Sequence, residues 1–413
     1  MNTGKLFAKA LGIVEPWYVE GVEFSAEARR LDIRIDFLAG SRFTATGEDG
    51  SVSGPFPVHD TVEKQWRHLN FFQHECYLQC RIPRVRTPDG RTLRVKAPWE
   101  GLNSGFTMLF EALMLGLAGH MPVHAVAKMV GVDDGKLWRL MGKYVEQAVS
   151  GESMEPVTQL GVDETSMGKG HKYVTVAADL KIRRTVFVAE GKGNENLTAL
   201  ADDMRRRGGD PAAVTDFTCD MSQAFILGIA NNFPAAEVTF DKFHLVKLLN
   251  DALDKVRRRE VARHPVLRRS RWLLLRNEVN LDAEQAARLA EIRTWNLDTC
   301  RALQLRMAFQ DIYHANDRDE FAALFGKWLS WAKRSRLAEF RRVARTFAKH
   351  RDGILRWFDT RLSNAILEGI NSLIQATKAK ARGFRTFAYF RTAIFFATGH
   401  LDFSKINPAC QSL

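Results

Sequence analysis

Hydrophobic and polar positions alternate in short runs between residues 157 and 244, and two stretches with helical spacing separate the later runs. Alternation predicts half-buried strands, whereas apolar positions three and four residues apart predict helices. The predicted strands are VTQLGVDE (157–164), KYVTVAADL (172–180), TVFVAEG (185–191), AAVTDFTCD (212–220) and AEVTFD (236–241), and the predicted helices are ENLTALADDMRRR (195–207) and SQAFILGIANNF (222–233). The order βββαβαβ indicates crossovers onto a partly parallel sheet. Asp163 and Asp220 end their strands, at the edge where such sheets usually carry functional residues.

The segment 359–384 has the spacing of one amphipathic helix. Its predicted apolar face comprises Ile366, Leu367, Ile370, Leu373 and Ile374. The opposite face carries Asn364, Glu368, Asn371, Gln375, Lys378 and Arg382. Spacing alone favours a plain solvated polar face. Combined with the two strand-end aspartates, however, Glu368 would complete the oxygen-rich site that two Mg2+ ions require for in-line phosphoryl displacement.

Residues 1–105 mix a short helix, alternating runs and turns rich in Gly and Pro, which predicts a small α+β module. Cys76 and Cys80 raise the question of zinc, with His59, His68 and His74 as possible partners. The alternating positions Cys76, Leu78, Cys80 and Ile82 are more typical of the buried face of a strand. A tight Cys-x2-Cys knuckle, which zinc sites usually have, is absent from the sequence.

Residues 105–147 become helical, with a buried first helix followed by a short helix, a turn at 131–133 and a second helix. Ala127, four residues before Gly131, suits the close packing of a helix-turn-helix. Lys136, Arg139 and Lys143 share one face of the second helix, which in such motifs enters the major groove. The alternative is an ordinary helical hairpin with a solvated basic face.

The block from residue 244 to about 353 contains one proline and two glycines, so several helices are predicted there. Basic residues cluster at Lys255, Arg257, Arg258, Arg259, Arg263, Arg268, Arg269, Arg271 and Arg276. Tryptophans at 272, 295, 328 and 331 interleave with this block and could stack on unpaired bases. For most of them, a place in the core of the helical block is the better interpretation.

Charge narrows the class of partner. The 413 residues include 60 Lys+Arg and 48 Asp+Glu, giving a net charge of +12 and a pI near 9.6. This balance favours polyanionic partners, nucleic acid first, although an anionic membrane surface would also attract it. Five irregularly spaced cysteines, no signal peptide and no long apolar span indicate a protein of the reducing cytosol.

Taken together, these residues are similar to those of bacterial insertion-sequence transposases with an RNase H-like DDE core, and the chain most closely resembles the ISL-three group. The resemblance rests on WRHLNFFQHECYLQCRIPRVR and KAPWE, the helix-turn-helix, GVDETSMGKGHKYVTVAADL, CDMSQAFILGIANNFPAAEVTFDKFHLVKLLNDALDKVRR and SNAILEGINSLIQATKAKARGFRTFAYFR. These stretches span nearly the whole chain in the family's order.

The resemblance implies a multidomain fold: an α/β RNase H-like catalytic core interrupted by an all-helical insertion, preceded by a helix-turn-helix and a small α+β N-terminal module. It assigns catalysis and the binding of two Mg2+ (or Mn2+) ions to Asp163, Asp220 and Glu368. Asp241 and His244, in the motif DKFH, would lie near these carboxylates or hold the strand–helix junction. The implied domains are 1–105 (DNA-end binding), 106–150 (helix-turn-helix), 151–244 (first part of the core), 245–355 (insertion) and 356–413 (C-terminal helices of the core).

One departure concerns zinc. The family's N-terminal module usually carries cysteine pairs, whereas this chain has TATGED (44–49) and TPDG (87–90) at the expected places. A structural zinc ion is therefore in doubt. Basic residues such as Arg81, Arg84 and Arg86 could still bind the element end.

The resulting hypothesis is a DNA transposase that cleaves insertion-sequence ends and transfers the strands into target DNA. Besides the helix-turn-helix cations, the residues expected to hold the DNA backbone are Asn364, Asn371, Lys378, Lys380 and Arg382. The expected partner is double-stranded DNA, bound by a homodimer in the bacterial cytoplasm at the nucleoid, without a membrane. The alternatives are a helix-turn-helix regulator, which needs no carboxylate triad, and a structure-specific nuclease, which hydrolyses DNA without joining strands.

Overall fold

The computed structural model describes residues 3–47, 50–103, 105–168, 172–362 and 365–412. The chain forms two compact units. We call Met1–Glu152 with Thr377–Leu413 the terminal unit, and Ser153–Ala376 the central unit. The fold is mixed α/β. Within the described ranges, no helix has both the length and the apolar character needed to cross a bilayer.

The terminal unit begins with a sheet. Its elements are α1 (Thr3–Ala10), β1 (Trp17–Ser25), β2 (Arg30–Phe37), β3 (Arg42–Thr46), β4 (Val52–Phe71), β5 (His74–Arg86) and β6 (Thr92–Arg94). The strand order is β1-β2-β5-β4-β3, with β6 paired to β5. Cys76, Leu78, Cys80 and Ile82 all lie on the buried face of β5, which confirms the prediction for this run. His68 is also buried and its Nδ1 lies 2.9 Å from Thr107 Oγ1, and burial lowers the pKa of His68 to about 4.

Three helices follow: α2 (Met108–His120), α3 (Val123–Val130) and α4 (Asp134–Gly151). The chain turns between α3 and α4 at Gly131, whose φ of 73° is a left-handed conformation that glycine adopts without strain. Ala127 is fully buried beneath this turn, and Asp133 caps α4 by accepting a hydrogen bond from the Lys136 amide. The predicted helix-turn-helix is confirmed, and Lys136, Arg139 and Lys143 are exposed along α4.

The central unit is built on a second sheet. Its elements are β7 (Gln159–Gly168), β8 (Lys172–Asp179), β9 (Arg184–Glu190), α5 (Glu195–Arg206), β10 (Asp216–Cys219), α6 (Gln223–Asn232) and β11 (Glu237–Phe240), in the predicted order βββαβαβ. The strand order is β11-β10-β7-β8-β9, and β10 pairs in parallel with both β7 and β11.

Two strand ends differ from the prediction. Asp163 does not end its strand, because β7 continues to Gly168 in an antiparallel hairpin with β8. The predicted strand 212–220 is shorter, since residues Pro211–Ala213 form a 3-10 turn and β10 starts only at Asp216. Asp220 therefore follows β10 directly.

The block after β11 is helical, as predicted. It comprises α7 (Lys242–Glu260), α8 (Arg271–Leu275), α9 (Ala283–Thr294), α10 (Asp298–Asp311), α11 (Arg318–Arg334), α12 (Ala338–Lys349) and α13 (Arg351–Thr360). The prediction that most of the four tryptophans lie in the core of this block was wrong for three of them. Trp328 is buried, but Trp272, Trp295 and Trp331 are 63%, 45% and 43% exposed, because phenylalanines fill much of the interior. Several of the arginines are held by acids: Arg257, Arg258 and Arg271 all contact Asp254.

The last two helices are α14 (Ala365–Lys380) and α15 (Phe387–Thr398). The prediction of one helix over 359–384 was wrong at both ends, since α13 ends at Thr360, Arg361 adopts a left-handed conformation with φ 53°, and α14 ends at Lys380. Leu367, Ile370 and Ile374 are buried as predicted, but Leu373 is 55% exposed, so the buried stripe is narrower than the sequence suggested. In the terminal unit α15 packs beside α4, where Arg391 forms an ion pair with Glu146 at 2.9 Å.

Candidate active site

Three aspartates lie level with one another at one edge of the central sheet. Gly161 of β7 pairs with Thr218 of β10, and Thr218 pairs in turn with Thr239 of β11. Two residues further along the chain are Asp163, which is still in β7, and Asp220 and Asp241, which directly follow β10 and β11. Because neighbouring strands are about 4.8 Å apart, this register places the three residues in a row at the edge where the parallel pairing ends.

Asp163 is half-buried and held by two donors. Its Oδ1 accepts from the Glu164 amide at 2.8 Å, and its Oδ2 accepts from Asn371 Nδ2 at 2.7 Å. Burial raises the pKa of Asp163, and the nearby charge of Asp220 adds to the rise. One residue of α14, 208 positions later in the chain, thus orients the carboxylate.

Asp220 lies at the beginning of α6. Its Oδ1 accepts from the Ser222 amide at 2.8 Å, and Ser222 is the N-cap of α6. The start of a helix favours a negative charge, because its first amides have no partner within the helix. The carboxylate of Asp220 therefore has both a hydrogen bond from the Ser222 backbone amide and a position at the start of a helix.

Asp241 is fully buried and caps α7, accepting from the Phe243 amide at 3.1 Å. His244, one turn into α7, places Nδ1 at 3.5 Å from Asp241 Oδ2. Asp241 raises the pKa of His244, and the charges of Asp163 and Asp220 raise it further. Asp241 therefore caps the helix at the strand–helix junction, and His244 lies within the electrostatic field of the carboxylates.

Glu368 is exposed on α14 and lies within the electrostatic field of the aspartates. Partial burial raises its pKa, as do the charges of Asp241 and Asp163. Glu164, which the sequence reasoning missed, also lies among these groups: burial and the charges of Asp220 and Asp163 raise its pKa. Successive side chains of a strand point to opposite faces, so the alternating pattern of β7 gave no reason to expect the Glu164 side chain near that of Asp163. No sequence signal therefore identified Glu164.

Mutual repulsion among these acids favours a bound cation, and carboxylate oxygens are the donors that hard divalent ions prefer. Asn371 adds an observation of its own: within the described ranges, its buried Oδ1 has no hydrogen-bond partner. Still, no three His, Cys, Asp or Glu side chains of the described residues are close enough together to hold a metal ion. The residues fit a divalent cation in charge and donor type, and their side chains would have to close around it.

The remaining residues of α14 divide between two environments. Gln375 Nε2 donates to Thr165 Oγ1 at 2.7 Å, so with Asn371 it joins α14 to β7. The polar face is therefore only partly solvated. Lys380 Nζ donates to the His120 carbonyl at 2.6 Å in the terminal unit, where Lys378 is half-buried and Arg382 is exposed. Asn364 lies outside the described residues.

In the N-terminal sheet, two of the three predicted DNA-binding arginines already have acidic partners. Arg81 forms an ion pair with Asp36, and Arg84 forms one with Asp60 at 2.6 Å. Arg86 is exposed at the end of β5. Cys76 and Cys80 are free thiols whose burial raises the pKa of each.

Comparison with known proteins decides the family. A model described as a transposase of the ISL3 type matches residues 160–394, and one described as the helix-turn-helix domain of transposase family ISL3 matches residues 95–145. The chain belongs to the ISL3 transposase family. The first match covers more than half of the chain and contains Asp163, Asp220 and Glu368. The resemblance stated from the sequence is confirmed, and the chain is a DNA-binding insertion-sequence transposase.

Two relatives are similar over most of their length. The transposase for insertion sequence element IS1001 of Bordetella parapertussis is 27% identical over 344 residues, which cover 81% of this chain and 84% of that protein. The transposase for insertion sequence element IS1557 of Mycobacterium tuberculosis is 25% identical over 439 aligned positions, which cover 97% of both. This ISL3 transposase therefore matches relatives of its own size. Membership of a DDE transposase family also implies dependence on a divalent metal ion.

Proposed function

We propose that this transposase cleaves DNA at the ends of its insertion sequence and joins them to target DNA with Asp163, Asp220 and Glu368 as its catalytic carboxylates. The observation that supports this assignment is the level arrangement of Asp163 and Asp220 across adjacent parallel strands, with Glu368 within their electrostatic field. The sheet order and the helical block after β11 also agree with an RNase H-like core, 151–244 and 356–413, interrupted by an insertion at 245–355.

Asp163, Asp220 and Glu368 would hold two Mg2+ or Mn2+ ions. Such ions supply Lewis acidity at the phosphate and a nucleophilic oxygen at neutral pH. The chain's own contribution is orientation: Asn371 fixes Asp163, the Ser222 amide fixes Asp220, and Asp241 fixes the start of α7. The exposed side chain of Glu368 is free to move toward the two aspartates when the ions bind. No protein nucleophile is required.

The reaction would proceed in two phosphoryl transfers. Water first displaces the 3′-oxygen at the element end. The released 3′-hydroxyl then attacks a phosphodiester of the target and displaces the target's own 3′-oxygen, which leaves as a 3′-hydroxyl. DNA would be held at the helix-turn-helix by Lys136, Arg139 and Lys143. Pairing two ends calls for two copies of the chain, so we propose a homodimer on DNA.

The test uses the full chain, Mg2+ and a duplex carrying the terminal inverted repeat of the element. We expect cleavage and strand joining by the wild type. Asp163→Asn and Glu368→Gln should each lower the rate by more than about 100-fold, since groups that merely orient metal ligands already contribute about 10- to 100-fold. Both variants should still bind the duplex.

The matched control is Asp202→Asn, which removes a surface carboxylate of α5 that pairs with Arg205. This variant should retain the wild-type rate. Strand joining that survives Glu368→Gln would overturn the assignment of Glu368. Cleavage without joining would indicate a structure-specific nuclease instead.

A further inference from the structure

A groove of about 730 Å3 lies in the terminal unit at the beginning of the second helix of the helix-turn-helix. One wall is formed by the first residues of α3 and α4, including Asp133 and Trp138. The other wall is the segment 380–385, which we call the arginine loop. It begins at the last residue of α14 and contributes Lys380, Arg382 and Arg385. The helix-turn-helix therefore shares its groove with a segment about 250 residues further along the sequence.

The arginine loop has a defined conformation. Helix α14 ends when the Gly383 amide donates to the Lys378 carbonyl at 2.9 Å. This closure needs left-handed φ values of 55° at Arg382 and 96° at Gly383, and the second is a conformation that essentially only glycine adopts readily. Its side chains are thereby presented from a fixed backbone.

Aromatic contacts attach the loop to α4. Phe384 packs edge-on against Trp138 with ring centroids 5.9 Å apart, and Tyr389 of α15 stacks on Trp138 at 4.8 Å with an interplanar angle of 13°. Lys380 adds its hydrogen bond to the His120 carbonyl at the end of α2. The loop and the start of α4 are thus fixed relative to each other.

The acidic side chains of the groove have local partners, whereas two of its arginines are exposed. Asp133 caps α4, and Asp134 lies 2.9 Å from His124 Nδ1, so both acids have local partners. Arg382 and Arg385 are exposed on the opposite wall. A groove with exposed arginines beside a recognition helix matches the requirements of a DNA duplex, whose phosphates border the bases that such a helix contacts.

We propose that the arginine loop and α4 form a single DNA-binding surface, in which Arg382 and Arg385 bind phosphates of the same duplex whose bases α4 contacts. This inference rests on the proposed binding of element ends by the helix-turn-helix and adds a second group of contacts to it. It assigns Arg382 to the recognition of element ends.

The test measures binding of the full chain by fluorescence anisotropy over a series of KCl concentrations. The probes are a duplex carrying the terminal inverted repeat and a mixed-sequence duplex of equal length. For Arg382→Ala/Arg385→Ala we expect affinity for both duplexes to fall by about tenfold or more, and the salt slope to fall by about one unit per arginine. Arg382→Lys/Arg385→Lys should keep most of the slope, because it keeps the charge.

Two further variants make the outcome decisive. Arg205→Ala/Arg206→Ala removes two exposed arginines of α5 and should bind as the wild type does. Lys136→Ala/Arg139→Ala on α4 should weaken binding to the inverted repeat. If the α4 variant weakens binding while the loop variant has wild-type affinity and slope, this inference is overturned and end binding by the helix-turn-helix stands. If the wild type does not prefer the inverted repeat to the mixed sequence, the proposed end binding itself fails.

Discussion

Helix α14 packs closely against β7 at Gly161. A Cβ atom built there would lie 2.8 Å from Leu367 Cδ1, 2.9 Å from Leu180 Cδ2 and 3.0 Å from Thr218 Cγ2. The first two distances are too short for real carbon–carbon contacts and the third is tight, so an added side chain must displace its neighbours. Leu367 precedes Glu368, and Gly161 lies two residues before Asp163. The spacing between two candidate catalytic carboxylates thus depends on a glycine.

Gly161→Ala should therefore reduce activity more than stability. We expect overpacking to lower the free energy of unfolding by about 1–3 kcal/mol, and the displacement of α14 to reduce strand cleavage by at least about tenfold. Chemical denaturation and the cleavage assay measure the two effects. Gly369→Ala is the matched control, because nothing lies within 4 Å of its added Cβ and alanine favours a helix interior by about 0.5–1 kcal/mol. A Gly161→Ala protein with wild-type cleavage would show that the spacing is not critical.

For single residues, the sequence was most informative where an acidic side chain occurs at the end of a predicted strand. Asp163 and Asp220 could be singled out because each is an acid next to a run of β-branched and apolar residues. The partner of Asp163 could not be found in that way. Asn371 is 208 positions away, and its helical spacing is equally consistent with a solvated face. A local sequence pattern does not show how a helix is positioned against a sheet.

At the scale of elements, the helices after β11 show how composition can mislead about burial. Trp328 of α11 donates from Nε1 to the Leu305 carbonyl at 2.8 Å and packs against the rings of Phe309 and Phe347, at 4.9 and 5.6 Å. Trp272 of α8 is mostly exposed, with the Arg271 guanidinium 4.9 Å from its ring. Both residues occur in basic amphipathic sequence, and only the packing of neighbouring helices separates them.

The two tryptophans should therefore respond differently to truncation. Trp328→Ala is expected to cost about 3–5 kcal/mol, because it leaves a large cavity and removes a buried hydrogen bond. Trp272→Ala should change stability by about 0.5 kcal/mol or less, as is usual for exposed positions. Urea denaturation of both variants provides the comparison. Equal losses would mean that Trp272 is covered in the folded protein.

The turn of the helix-turn-helix followed the sequence, because a turn residue and a cap residue are both present there. Gly131 and Asp133 mark the turn of the helix-turn-helix, and both perform the role that their residue types predict. The end of α13 had no such marker. Arg361 takes a left-handed conformation that is uncommon for arginine, and its guanidinium lies over the Phe358 ring at 4.1 Å. A break made by such a contact is not visible in hydrophobic periodicity.

At the scale of the whole molecule, the terminal unit is assembled from both ends of the chain. Asn407, which is 1% exposed, donates from Nδ2 to the Met108 carbonyl at 2.8 Å and to the Tyr144 hydroxyl at 3.0 Å. Tyr144 in turn donates to Glu111 Oε2 at 2.7 Å. Glu111 also accepts from the Leu102 and Asn103 amides. The sequence showed these segments separately, but a hydrogen-bond network between residues about 300 positions apart has no local pattern.

This network predicts that the last residues of the chain stabilise the helix-turn-helix. Asn407→Ala removes two hydrogen bonds to buried groups of α2 and α4, and we expect a loss of about 1–3 kcal/mol. The loss should be confined to the terminal unit. Hydrogen exchange should therefore become faster in α2, α3 and α4 while β7, β10 and β11 keep their protection, because local opening reports the stability of each region separately.

The control is Asn316→Ala, since Asn316 is exposed and its Nδ2 bonds only at the surface, to Glu320 at 3.0 Å. It should leave exchange unchanged in both units. DNA binding by Asn407→Ala should weaken as temperature rises, because the duplex can bind only the folded helix-turn-helix. Equal loss of protection in β7 and in α4 would show that the two units unfold together. In that case the C-terminal residues stabilise the transposase as a whole rather than its DNA-binding unit.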